Sequence, residues 1–117
     1  MKVKDNKTTK FIKSLTIEHC ESPRTGDAVK NQYVITLNNY YVFYSYRSLI
    51  AIYNKEHNIL TLGHDFDYSV TTLKYLKQFL DYYCYSIYRE LPSGKSLKDS
   101  LYKAIESGLI LYDEEMK

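Results

Sequence analysis

The chain lacks tryptophan altogether and has only two cysteines, two prolines and four glycines in 117 residues. No apolar run approaches the ~20 residues that a bilayer-spanning helix needs. The N-terminus lacks the apolar stretch of a signal peptide, so the expected compartment is the cytoplasm. Cys20 and Cys84 suit that compartment as reduced, partly buried thiols. Two cysteines and three scattered histidines do not make a structural zinc site. Neither a metal nor a cofactor is expected. A large charge of either sign is also missing. A formal net charge of +2 excludes an acidic mimic of DNA, and it falls short of the basic footprint of a dedicated DNA binder.

Tyrosine fills the gap left by tryptophan, with fourteen copies. They cluster at Tyr40, Tyr41, Tyr44 and Tyr46, and again at Tyr82, Tyr83, Tyr85 and Tyr88. Each ring is a large apolar body with one hydroxyl that needs a partner or water. A chain this rich in tyrosine can build a core and still present rings to another macromolecule. At 44% hydrophobic and 26% charged residues, the composition is that of a folded globular chain. Its length suits one core. The expected organisation is a basic arm over residues 1–10 and a single α+β domain over residues 11–117.

The few prolines and glycines mark the breaks. Pro23 and Gly26 sit in a turn between a first strand, Phe11–Cys20, and a β-rich block. In that block Gln32–Leu37, Tyr40–Tyr46, Leu49–Tyr53 and Ile59–Leu62 read as strands, with Asn38-Asn39 a tight turn and 54–58 a hairpin loop. Ser69 is a natural N-cap and Asp67 adds favourable charge, so one long helix should run from there and stop by Leu91, before Pro92. Its core stripe is Leu73, Leu76, Leu80, Tyr83, Ile87 and Leu91, flanked by Tyr68, Tyr75, Phe79 and Tyr82. A shorter helix over 97–107 is capped by Ser96, with Asp99 in capping-box position and Gly108 past its end. Leu109–Tyr112 reads as a last strand at an edge. The fold class is therefore α+β: an antiparallel meander of four to six strands packed by one long and one short helix. Both faces of its central strands are apolar, so both need cover.

Chemistry is weakly represented. His64-Asp65-Phe66-Asp67 is the most enzyme-like cluster, but a metal site needs three or four converging ligands, and the plainer reading is a polar loop serving the helix start. His19 and Cys20 are strand neighbours and point to opposite faces. Gly94-Lys95-Ser96 lacks the upstream glycine and strand of a phosphate loop. No catalytic residue is expected. Tyr33, Tyr53, Tyr68, Tyr75 and Tyr83 are assigned to the core. Tyr40, Tyr44 and Tyr46 share one strand face by alternation, and with Arg47, Tyr82, Tyr85 and Tyr88 they are the candidate partner-binding residues. Lys2, Lys4, Lys7, Lys10 and Lys13 give residues 1–13 a charge of +4, and they are the candidates for phosphate contacts if a nucleic acid is the partner. A second copy covering the open sheet face, forming a homodimer, is compatible with either partner.

Two stretches, Tyr40–Ala51 and Phe66–Leu80, resemble a largely uncharacterised family of small proteins encoded by phages and mobile elements of Gram-positive bacteria. The shared pattern is Ser45-Tyr46, Ile50-Ala51, Phe66-Asp67-Tyr68-Ser69, Thr71-Thr72 and Phe79-Leu80. Phe66 stands where that family usually has tryptophan, and Tyr75 where it usually has histidine. The resemblance implies a protein-binding inhibitor of host machinery, most concretely an anti-CRISPR protein that blocks a Cas nuclease or its guide-RNA complex. The alternative is a small nucleic-acid-binding accessory protein that uses the lysine arm and the sheet tyrosines.

Overall fold

The computed structural model describes residues 15–117. The lysine arm and the first residues of the expected N-terminal strand lie outside them. Six strands form one sheet whose spatial order follows the chain. They are β1 (Leu15–Glu21), β2 (Ala28–Leu37), β3 (Tyr40–Ser45), β4 (Ser48–Asn54), β5 (Ile59–Gly63) and β6 (Leu111–Asp113). β1 to β5 are a continuous antiparallel meander. β6 instead pairs with β5 in parallel. The chain leaves the sheet after β5, crosses the helices and returns in the same direction, as a parallel connection requires.

The helices are α1 (Val70–Tyr83), α2 (Tyr85–Tyr88) and α3 (Leu97–Ser107). Ser69 caps α1 as expected, its hydroxyl accepting the Thr72 amide. The single long helix expected as far as Leu91 is interrupted. Cys84 leaves helical geometry at φ −127°, ψ 37°, and a separate short turn follows. The break puts both Cys84 and Ile87 in the core. It also sets the Ser86 hydroxyl 2.7 Å from Asn58 Oδ1, which accepts from Tyr53 as well at 2.6 Å. α3 starts at Ser96 and stops at Gly108, whose φ of 82° is the left-handed C-cap that glycine adopts without strain.

All three helices contribute to one core on one side of the sheet. Phe43 stacks on Phe79 at 5.6 Å, and Tyr41 meets Tyr83 at 4.9 Å. Leu60, Leu62, Leu76, Leu80, Leu101 and Ile110 are fully enclosed around them. A bulge in β4 leaves Ile50 between the Tyr44–Leu49 and Phe43–Ala51 pairs, and both Ile50 and Ala51 are buried. Of the tyrosines assigned to the core, Tyr53 and Tyr75 are buried and Tyr83 is half-buried against the same cluster, its ring on Tyr41 and Phe79. Tyr68 is exposed instead, because it lies before the N-cap and outside the helical register. Tyr33 lies on the other side of the sheet, paired between His19 and Tyr44.

That other side carries three cross-strand rows. The central row reads Ile17, Ile35, Val42, Ile52, Thr61 and Leu111. One flanking row is Leu15, Leu37, Tyr40, Asn54 and Ile59, and the other is His19, Tyr33, Tyr44 and Leu49. None of these residues belongs to the core cluster or to the side chains packed against it.

Candidate functional site

The β3–β4 hairpin turns on Tyr46 and Arg47, whose φ values are 50° and 70°. Two successive positive φ angles are what a type I′ turn requires, and Asn-Gly is the usual solution. Bulky side chains there cost about 1–2 kcal/mol per residue relative to relaxed backbone. A third non-glycine residue at positive φ, Asn31 (φ 67°), sits alongside, and its carbonyl accepts the Tyr46 amide at 2.8 Å. Asn38 and Asn58, at the turns of the opposite end, also have positive φ (54° each), which asparagine tolerates; the bulky residues held in that region are Tyr46 and Arg47, and both are exposed.

This turn forms one wall of a cleft of about 450 Å3 against the start of α1. Ser45, Ser48, Ser69, Thr71 and Thr72 line it with hydroxyls, and Ile50 supplies an aliphatic patch. The rim is aromatic: Tyr46 is 45% exposed and Tyr68 73%, and Val70, two residues after Tyr68, is 85% exposed. The floor is rigid. Ser45 Oγ and Thr72 Oγ1 lie 2.9 Å apart, and Thr72 Oγ1 is 3.0 Å from Ser69 Oγ, so three hydroxyls tie the end of β3 to the cap of α1. On the core face beside Ser45, its cross-strand partner Gln32 is fully buried with neither amide atom hydrogen-bonded.

Beyond the cleft, Ser48 Oγ donates to Asp65 Oδ2 at 3.1 Å, and His64 Nδ1 donates to Asp65 Oδ1 at 2.8 Å. The hydrogen bond from His64, and then that from Ser48, hold the Asp65 carboxyl below its ordinary range. In this order the carboxylate separates the serine from the imidazole, whereas nucleophile activation needs the imidazole on the hydroxyl. Asp67 does not serve the helix start, because it turns away to accept from Tyr102 of α3 at 2.6 Å, with Lys98 at 3.6 Å. That hydrogen bond pushes the Tyr102 phenol up to about 12. Among the described residues no group of three or more His, Cys, Asp or Glu is placed to hold a metal ion.

A second, shallower groove of about 340 Å3 lies between β1 and α1, lined in part by Glu18, Cys20, Gln78, Tyr82 and Tyr83. Burial pushes the Cys20 thiol up to about 11 and raises that of Cys84 further. Neither is the depressed thiol of a nucleophile. Both cysteines are free and buried.

The seven tyrosine and arginine candidates separate into three places. Tyr40 and Tyr44 lie on the uncovered sheet face. Tyr46 does not share it, because β3 ends at Ser45 and the positive φ takes Tyr46 to the cleft, while Arg47 is exposed beside it in the turn. Tyr82 and Tyr85 are exposed along the helical layer, and Tyr88 packs against the core. The five lysines lie outside the described residues. Tyr68 and Val70 were not among the candidates. Tyr68 was read as core from its helical spacing, and nothing in the residue types marked Tyr46-Arg47 as a turn.

The chain belongs to DUF8033, a family of unknown function, whose model matches residues 15–91, about two thirds of the chain. The match takes in the strained hairpin, the hydroxyl floor and all of α1. No curated protein and no solved structure matches. No helix among the described residues is long and apolar enough to cross a membrane.

Proposed function

We propose that this protein is a binding module that seats a protein partner on the Tyr46–Tyr68 cleft and acts by occupying that partner. The observation that carries this reading is the strained turn. Tyr46 and Arg47 are held where asparagine and glycine would be cheaper, and what the chain gains there is display of a ring and a guanidinium. Tyrosine and arginine are the residue types over-represented among interface hot spots. The rim also satisfies the other need of such a site, a rigid support, through the Ser45–Thr72–Ser69 chain. The cleft lining offers hydroxyls and rings and no carboxylate, imidazole, thiol or amine, which suits recognition better than proton transfer.

The finer reading follows from the resemblance of Tyr40–Ala51 and Phe66–Leu80 to phage and mobile-element proteins. The partner is then a host defence protein, with a guide-loaded Cas nuclease the first choice. Cleavage assays with purified Cas nucleases and guides, in the presence of excess protein, test it. Inhibition of one subtype is expected, relieved about 30-fold by Tyr68→Ala or Tyr46→Ala, as for an interface anchor. Unchanged cleavage across the common subtypes removes the nuclease reading. Inhibition that survives both substitutions removes the cleft.

A further inference from the structure

Among the described residues, no helix or strand lies over the sheet face opposite the helices. An antiparallel sheet that faces water on one side normally alternates apolar and polar residues, so that its outer face is hydrophilic. Here the outer face carries Ile17, Ile35, Val42, Ile52 and Leu111 in its central row, with Thr61 the only polar member. Ile17 is 65% exposed and Leu111 53%. The central row and the flanking row from Leu15 to Ile59 hold no Lys, Arg, Asp or Glu, while Asp113, two residues beyond Leu111 on β6, lies on the same face by alternation.

From these observations we infer that the protein forms a two-fold homodimer in which this face packs on its own copy, giving a four-layer helix–sheet–sheet–helix particle. Charge selects the occupant. Nucleic acid needs cations on the surface that meets it, and the three rows hold none among the described residues. The aliphatic rows carry no charge and Asp113 stands at their β6 margin, so two copies meet there with little repulsion, and an isologous contact needs only a patch that complements itself. Branched aliphatic rows from two sheets interdigitate at about 10 Å separation in sandwich proteins, which is the geometry these rows present. The area is sufficient. Six strands about 4.8 Å apart, with three side-chain rows about 7 Å apart, give a footprint on the order of 500 Å2 per copy. The pair then buries about 1,000 Å2 before side-chain relief is counted, the threshold for a specific interface. The cleft at Tyr46 and Tyr68 opens on the helical side and stays free in such a pair, so this inference does not rest on the proposed partner.

Sedimentation equilibrium of the full chain across a concentration series tests it. A mass approaching 28 kDa, twice the 13.9 kDa of the chain, is expected at micromolar concentration. Val42→Lys and Ile35→Lys each place a cation in the apolar rows and should shift the dimer constant at least 100-fold toward monomer, with the circular dichroism of a folded chain. Tyr46→Ala should leave it unmoved. A wild-type chain that stays monomeric to about 100 μM, a weak limit for a pair that buries this area, overturns the proposal. So does a dimer that a folded Val42→Lys or Ile35→Lys chain forms equally well, because it is then built on a different surface.

Discussion

Tyr46 and Arg47 set local stability against display. Replacing the pair by Asn-Gly removes two unfavourable backbone conformations, so Tyr46→Asn/Arg47→Gly should raise the unfolding free energy by about 1–2 kcal/mol. The same change should weaken partner binding, the trade expected when a strained residue is kept for function. Urea unfolding and a binding titration on the same protein check both halves, and a variant that is less stable would show that the turn is not strained. Gln32 makes a second case. Its amide is enclosed with no partner, and burying such a group costs about 1–3 kcal/mol. Gln32→Met keeps the volume and removes the polar atoms, so a gain of about 1 kcal/mol is expected. A loss would instead show that an internal water holds the amide.

At the scale of elements, much of the architecture was readable where local chemistry decides it. Ser96 and Gly108 bound α3 because a hydroxyl cap and a left-handed glycine act within one turn, and Ser69 begins α1 for the same reason. What tertiary packing decides was not readable. Nothing in Tyr83-Cys84-Tyr85 marks a helix break, which follows from enclosing Cys84 and Ile87 and from the Tyr53–Asn58–Ser86 contacts. The parallel sense of β6 depends on where the helices leave the chain. The loop before α1 was legible as polar but not in its partner, because the Asp67 contact reaches α3 thirty-five residues away.

That contact gives an alkaline signature. The Tyr102 phenol is held up to about 12 by its bond to Asp67, above an unfolded value of about 10. Its contribution is therefore fully present below about pH 10 and fades as pH rises toward 12. Tyr102→Phe should cost about 1 kcal/mol at neutral pH, where the hydrogen bond is intact, and converge with wild type near pH 12. Unfolding curves at pH 7 and above pH 11 check this. Gly63 constrains the same end of the molecule. A Cβ there would lie 2.5 Å from the Met116 carbonyl and 2.7 Å from that of Leu49, both backbone atoms. Gly63→Ala should cost about 1–3 kcal/mol as strand and tail are forced apart, measured by denaturant midpoint.

Over the described residues the molecule is a sheet with one dressed face and one bare face. The alternation of β3 and β4 made that visible in advance, since neither side of those strands is polar. Which side the helices would take was not visible, because Phe43 and Val42 are equally apolar. If two copies meet on the bare face, folding and assembly are linked, and the thermal midpoint should rise with protein concentration. Calorimetry at about 10 and 300 μM, with Val42→Lys as the concentration-independent control, measures that slope.

The order of the strands also carries a kinetic consequence. β1 to β5 are neighbours in both sequence and space, so the meander can zip from hairpin to hairpin with short loops to close. β6 cannot join until the helices have been made and docked, since its ladder partner among the described residues, β5, lies nearly fifty residues upstream of it. Pulsed hydrogen exchange during refolding should therefore protect β2–β4 amides before those of β6. In that interval both sides of the young sheet are wet, and its Ile and Val rows have neither helix nor twin to meet. The interval before α1 docks is when this chain is most exposed to misassociation.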